Sequence, residues 1–152
     1  MSILSKTPDD TLSLGKRIGS AVVQGVSIAL IGDLGSGKTT FVQGIAQGLG
    51  VSEKYYITSP TFTIVNTYPA GPFTLCHLDL YRLSDAEELE HIGFDDLVSP
   101  NHILVVEWPE LLNDISFNFD LEIDFQFDDQ YNRIISIGAS GQAGANLLSN
   151  IP

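Results

Sequence analysis

The chain has 152 residues, 43% of them hydrophobic and 17% charged, and a formal net charge of −12. That length suits a single domain with an ordinary core, and the composition excludes a disordered chain. The negative charge argues against unaided binding to a duplex or to tRNA, no apolar stretch nears the roughly 18 residues a membrane span needs, and the lone Cys76 excludes both an internal disulfide framework and a cysteine-rich zinc site.

Met1 to Lys6 contains no apolar segment of the length a secretory signal uses, so the expected location is the cytoplasm. Thr7-Pro8-Asp9-Asp10 reads as a helix start, with Thr7 as N-cap, Pro8 at the first helical position and two acids in the first turn. Leu12, Ile18 and Val22, with the small Gly15 and Gly19 between them, predict a helix packed closely on its neighbours. Val26 to Ile31 is a short apolar run suited to a buried parallel strand.

Gly32-Asp33-Leu34-Gly35-Ser36-Gly37-Lys38-Thr39-Thr40 comes next, and its first eight residues fit the phosphate-binding pattern G-x-x-x-x-G-K-[ST]. The glycines let the backbone turn tightly and aim N–H groups at a polyphosphate. Lys38 is then a point charge for the β- and γ-phosphates, and the Thr39 hydroxyl a Mg²⁺ ligand. Phe41, Ile45 and Leu49 recur at helical spacing and Gly50 can close that helix, whose positive N-terminus serves the same anion. Strand, glycine loop and helix are the context the motif requires. The preceding helix comes just before the strand that leads into this loop, so its start could lie near the nucleotide base, which makes Thr11 a candidate contact there, the alternative being an ordinary helix residue.

Thr58, Ser59 and Thr61 form a hydroxyl cluster in which one member could sense a γ-phosphate; the alternative is a Ser-Pro turn that starts a strand. Thr63 to Tyr68 and Phe73 to Leu78, around a Pro69-Ala70-Gly71-Pro72 turn, predict a hairpin. Asp85 to Glu90 reads as a short acidic helix, Gly93 to Val98 as another helical turn or two, and His102 to Val106 as a third buried strand. Leu121 to Phe127 and Arg133 to Ile137 flank Asp128 to Asn132 as a second hairpin, and the tail from Ala139, rich in Gly, Ala, Ser and Asn, is expected to be loosely held.

Two apolar strands end in an acid: Asp79 after Leu78, and Glu107 after Val106. Ligands in open α/β sheets bind outside the carboxyl ends of the strands, so both acids are expected beside the phosphate loop. In phosphoryl transfer one carboxylate serves Mg²⁺ while another orients the attacking water, and the residues alone leave open which does which. His77 reads as a packed core histidine, His91 and His102 show no metal-ligand spacing, and Trp108 leaves the strand at the mouth of the site, as a core anchor or as a cover for nucleotide or partner. Lys38 is the one fixed cation near the loop in sequence.

Four elements, Gly32 to Thr40, Ser59-Pro60-Thr61-Phe62, His77-Leu78-Asp79-Leu80-Tyr81-Arg82-Leu83 and Val106-Glu107-Trp108-Pro109, stand in an order and spacing that resemble the TsaE (YjeE) family over about Thr7 to Arg133. The resemblance implies a phosphate-loop NTPase fold, α/β, with a mainly parallel central sheet extended by antiparallel strands, ATP and Mg²⁺ as ligands, and a place in threonylcarbamoyladenosine modification of tRNA. It further implies that Lys38 and the loop hold phosphates, that Thr39 and Glu107 serve the metal, that Asp79 is the Walker B-like acid, and that TsaD and TsaB are partners through which tRNA is reached indirectly. The family's ATPase is weak in isolation. The chain has only Arg17, Arg82 and Arg133 to act as a finger, Arg82 being nearest a catalytic acid in sequence, so completion in trans is expected. The other readings are a small-molecule kinase, against which the scarcity of arginine counts; a GTPase switch, whose Asn-Lys-x-Asp and Asp-x-x-Gly strings are missing; and a non-hydrolysing module in which ATP only orders a docking surface.

Overall fold

The apolar runs pair into one seven-stranded sheet in a computed structural model that describes residues 1–152. In chain order the elements are β1 (Ser2–Ser5), α1 (Pro8–Ala21), β2 (Val26–Gly32), α2 (Lys38–Leu49), β3 (Val65–Ala70), β4 (Phe73–Asp79), α3 (Glu88–His91), α4 (Phe94–Leu97), β5 (His102–Glu107), a 3₁₀ segment (Pro109–Ile115), β6 (Leu121–Phe127), β7 (Arg133–Ala139) and α5 (Gly141–Asn150). The strand order is β1-β7-β6-β2-β5-β4-β3. The central β6, β2, β5 and β4 run parallel, and β3, β7 and β1 add to the edges antiparallel. This is the mainly parallel α/β architecture the sequence predicts.

The helix start at Thr7 forms as its residues dictate. The Thr7 hydroxyl accepts from the Asp10 N–H, the Asp10 carboxylate accepts from the Thr7 N–H, and Pro8 occupies the first turn. Gly50 closes α2 in a left-handed conformation. α1 and α2 approach so closely that a Cβ on Gly15 would come within 2.3 Å of the Phe41 carbonyl oxygen, and one on Gly44 within 2.2 Å of the Leu12 carbonyl oxygen. Gly19 and Gly48 repeat the arrangement one turn on.

Each strand divides its side chains between two faces. Ile28 and Leu30 of β2, Leu75 of β4 and Ile103 and Val105 of β5 pack with Leu14, Ile18, Phe41 and Ile45 of the two long helices. Ala29, Cys76, Leu78, Leu104 and Val106 pack on the other side with Leu89, Phe94, Leu112 and Phe119.

Three local expectations are corrected, and one strand that the sequence did not suggest is added. β3 continues through Pro69 to Ala70, because an edge strand tolerates a proline that donates nothing outward, and the turn contracts to Gly71-Pro72. The acidic helix is shorter than expected, only Glu88–His91. β1, too short to show a pattern, pairs with β7. The tail from Ala139 is not loose: it forms α5, with Gly144 and Leu147 buried, and Arg17 donates to the Pro152 carbonyl beyond it.

Candidate active site

β2 ends at Gly32 and α2 begins at Lys38, and the five residues between wrap the helix N-terminus. Gly37 caps α2 at φ 105°, a conformation that side chains rarely adopt. A cavity of about 520 Å³ opens above this loop. Gly35, Gly37, Lys38, Thr39 and Thr40 line it from the loop and the start of α2, with Leu34 at the rim; Ser59, Thr61, Asp79, Tyr81, Glu107, Trp108 and Arg133 form its walls.

The parallel pairing of β4 with β5 sets Asp79 directly opposite Glu107 at the carboxyl ends of both strands. Both acids are buried, at 3% exposure each. The Ser59 hydroxyl lies 3.0 Å from Asp79 Oδ2 and 3.2 Å from Glu107 Oε2, and Thr61 reaches Asp79 Oδ2 at 3.2 Å. The Tyr81 N–H donates to Asp79 Oδ1 at 3.0 Å, and His77 Nε2 stands 2.7 Å from Glu107 Oε2. The segment carrying Ser59 and Thr61 is closed by Ile64, whose N–H donates to the Pro60 carbonyl at 2.6 Å and whose φ is +70°. For a β-branched residue that conformation costs of the order of 1–3 kcal/mol, held in place here beside two carboxylates.

Trp108 also has positive φ, 55°, immediately after Glu107. That left-handed step ends β5 and brings the indole over Lys38, whose Nζ lies 3.9 Å from the ring centroid and donates to the Gly32 carbonyl. Burial pulls the Lys38 ammonium below the ordinary lysine range, against the charges of Glu107, Asp79, Glu110 and Asp33, which favour its protonated form. Tyr81 stacks obliquely on Trp108 with centroids 5.1 Å apart.

The opposite wall is Arg133. Asp128 organises the turn between β6 and β7 by accepting from Gln130, from the Asn132 N–H and from the Asn132 side chain. The Asn132 amide leads in holding that carboxylate below its usual range. Arg133, the next residue, lies over Phe127 and donates to the carbonyls of Ser36 and Gly35 at 3.4 Å each. Lys38 therefore has a second cation across the cavity. Arg82, nearer an acid in sequence, is directed elsewhere: it lies over Phe62 and lines no part of the cavity.

Of the residues singled out in the sequence, Leu34, Gly35, Gly37, Lys38, Thr39, Thr40, Thr61, Asp79, Glu107 and Trp108 line this one cavity. Thr11 does not, because its hydroxyl is buried against Ser5 at 2.7 Å. Thr58 and Asp33 are exposed outside it. Gly32 turns its carbonyl to Lys38, and Ser36 is buried beneath the loop with its hydroxyl unpartnered. The sequence reading missed Arg133 and Tyr81 as wall residues and His77 as the partner of Glu107. The spacing of His77 and Asp79, two residues apart on one strand and so on one face, was the available signal. Thr39, Asp79 and Glu107 give the cavity hard oxygen donors. No group of three His, Cys, Asp or Glu residues makes a protein-only cage. That donor set fits Mg²⁺, which uses one or two protein oxygens together with phosphate and water.

The model of the family described as "Threonylcarbamoyl adenosine biosynthesis protein TsaE" matches residues 5–135. The protein named tRNA threonylcarbamoyladenosine biosynthesis protein TsaE of Treponema pallidum is 41% identical over 110 residues, covering 72% of this chain and 79% of its own length. Its Haemophilus influenzae namesake is 33% identical over 155 aligned positions, with 97% and 96% covered. The Bacillus subtilis one is 38% identical over 107 residues, 70% of this chain and 65% of that relative, just under two-thirds of its length. In three dimensions the crystal structure of Bacillus subtilis YdiB superposes with a TM-score of 0.78 at 28% identity, covering 99% of this chain and 93% of that one. With the match spanning the phosphate loop, both strand-end acids and Arg133, the chain belongs to the TsaE family.

Proposed function

We propose that this chain binds ATP with Mg²⁺ and hydrolyses it as a subunit of the machinery that places threonylcarbamoyladenosine on tRNA, working with TsaB and TsaD in the cytoplasm. The observation that carries the reading is the convergence on one cavity of a phosphate loop, Lys38, Thr39 and two adjacent buried carboxylates. The loop N–H groups and the N-terminus of α2 receive the phosphates. Lys38 exchanges its contacts with the Gly32 carbonyl and the Trp108 ring for phosphate oxygens, and Arg133 stands across the cavity to meet the same charge. Thr39 and one acid of the carboxylate pair would hold the metal, which would supply positive charge against the developing phosphate charge. The acid not holding the metal orients the attacking water and accepts its hydrogen bond.

A surface completed by partner proteins fits the rim. Leu34 is 90% exposed and Tyr81 66% exposed at the cavity mouth, and Phe62 is 83% exposed close by in the chain. Apolar groups left in water beside a charged cavity suit a protein lid. The net charge of −12 favours tRNA being reached through the complex and not by this chain alone. No helix is long and apolar enough to cross a membrane.

Lys38→Ala tests the reading. ATP affinity should fall at least tenfold, and hydrolysis, measured alone and with the cognate TsaB–TsaD pair, should vanish. Wild-type affinity in that variant would refute the site, while affinity lost without any wild-type turnover in the presence of the pair would favour the non-hydrolysing module.

A further inference from the structure

His77 is fully buried and lines no part of the cavity, yet packing explains it poorly. Its Nδ1 is buried with no hydrogen-bond partner. An orphaned polar atom in a core is destabilising and calls for a reason, since an apolar side chain of similar size would fill the same space without it. The other nitrogen, Nε2, lies 2.7 Å from Glu107 Oε2. The strand register puts His77 opposite Val105 and Asp79 opposite Glu107, so the ring reaches the carboxylate diagonally from the dry side, away from the cavity.

We propose that His77 is a positioning residue for Glu107: its Nε2–H holds Oε2 from behind, so that Oε1 is presented to the cavity. The two carboxylates are otherwise treated differently. Asp79 has both oxygens engaged, Oδ2 by Ser59 and Thr61 and Oδ1 by the Tyr81 N–H. Both partners of Glu107, His77 and the Ser59 hydroxyl whose one proton Asp79 shares, lie on Oε2, and no group of the chain engages Oε1. Glu107 is therefore the acid with a free, fixed oxygen, and His77 is what fixes it. The Nε2–H tautomer follows, because a proton on Nδ1 would be buried without an acceptor. This assignment rests on the hydrolytic reading of the site for its consequence, though not for its geometry.

Two measurements test it. In the nucleotide-free chain labelled with ¹⁵N at its three histidines, long-range ¹H–¹⁵N correlation, assigned with His77→Gln, should find the His77 Nε2 protonated, with its resonance shifted in Glu107→Gln. A bare Nε2 overturns the proposal whatever the activity. In turnover with the TsaB–TsaD pair, His77→Leu should lower kcat about 10- to 100-fold and leave KM for ATP within roughly threefold, while His77→Gln, whose amide N–H can reach the same oxygen, should recover most of the loss. Equal losses in both variants, or a KM effect without a kcat effect, also overturn it. If the wild type hydrolyses nothing with the pair, the hydrolytic reading fails, and the ring measurement alone decides whether His77 holds Glu107. If His77→Leu does not fold, His77→Gln and the ring measurement decide.

Discussion

On the α1–α2 face of the sheet, Leu75, His77 and Asp79 of β4 and Ile103, Val105 and Glu107 of β5 run from dry core to charged cavity wall; on the opposite face Cys76 and Leu78, with Leu104 and Val106, stay apolar throughout. The first face is backed by helices of 14 and 12 residues in near backbone contact. The second is closed by two four-residue helices without side-chain caps and a 3₁₀ segment. The carboxylates thus stand on the side with the closer-packed backing, and the aromatics of the mouth, Tyr81 and Trp108, sit on connections that lead to the thinner side. A site that must hold two acids in register gains from the first arrangement, and one that must admit a nucleotide gains from the second.

The helix face loses its close backing if α1 and α2 are forced apart. In Gly15→Ala the added carbon meets the Phe41 carbonyl, a backbone atom with no rotamer to yield. A loss of about 3 kcal/mol or more is expected, read as a lower urea midpoint at unchanged slope. Near-wild-type stability would show that α1 slides over α2, and the claim of a stiff backing would fall.

Cys76 probes the other face. It is fully buried there, and desolvation pushes its thiol from 9.0 up to about 11. The sign follows from proton counts: above pH 9 the unfolded chain loses a proton that the folded chain keeps, so stability falls as pH rises from 9 towards 11. The decline should be on the order of 2 kcal/mol relative to Cys76→Ala, with the difference between the two proteins flat below pH 8. Rapid alkylation of the native thiol at neutral pH would instead show that this face opens readily, which would widen the contrast with the helix face.

How much of this was legible in the sequence depended on whether a pattern carries its own context. Gly32 to Thr39 names a strand, a loop and a helix at once, and the strand-end rule placed Asp79 and Glu107. The faces of the parallel strands were harder, because a strand buried on both sides is an unbroken apolar run and its period of two disappears. His77 therefore looked like core until the register put it behind Glu107. Arg133 could not be placed without the pairing of β7 with β6, since nothing in the local sequence says which end of a hairpin returns over the phosphate loop. Trp108 depended on a left-handed step that a tryptophan rarely takes, and α5 on tertiary contacts of Gly144 and Leu147 that override a composition poor in helix signals.

The smallest effects concern the start of α1, where the stiff face begins. Thr7→Ala removes the hydroxyl that accepts from the Asp10 N–H and should cost about 1 kcal/mol; α3 and α4, which have no such cap to lose, offer no equivalent substitution. Asp10 closes the reciprocal half of the box. The Lys6 N–H, followed by the Thr7 N–H and hydroxyl, holds its carboxylate below the usual 3.8, partial desolvation working against them. A lowered folded value means that the contribution is present above the unfolded value and is lost as pH falls through the folded one. Asp10→Asn should accordingly flatten the acid limb of the stability curve below about pH 4 while leaving nucleotide affinity at neutral pH unchanged. A change in that affinity would mean that the helix start, 22 residues before Gly32 in the chain, is coupled to the phosphate loop through the α1–α2 contact.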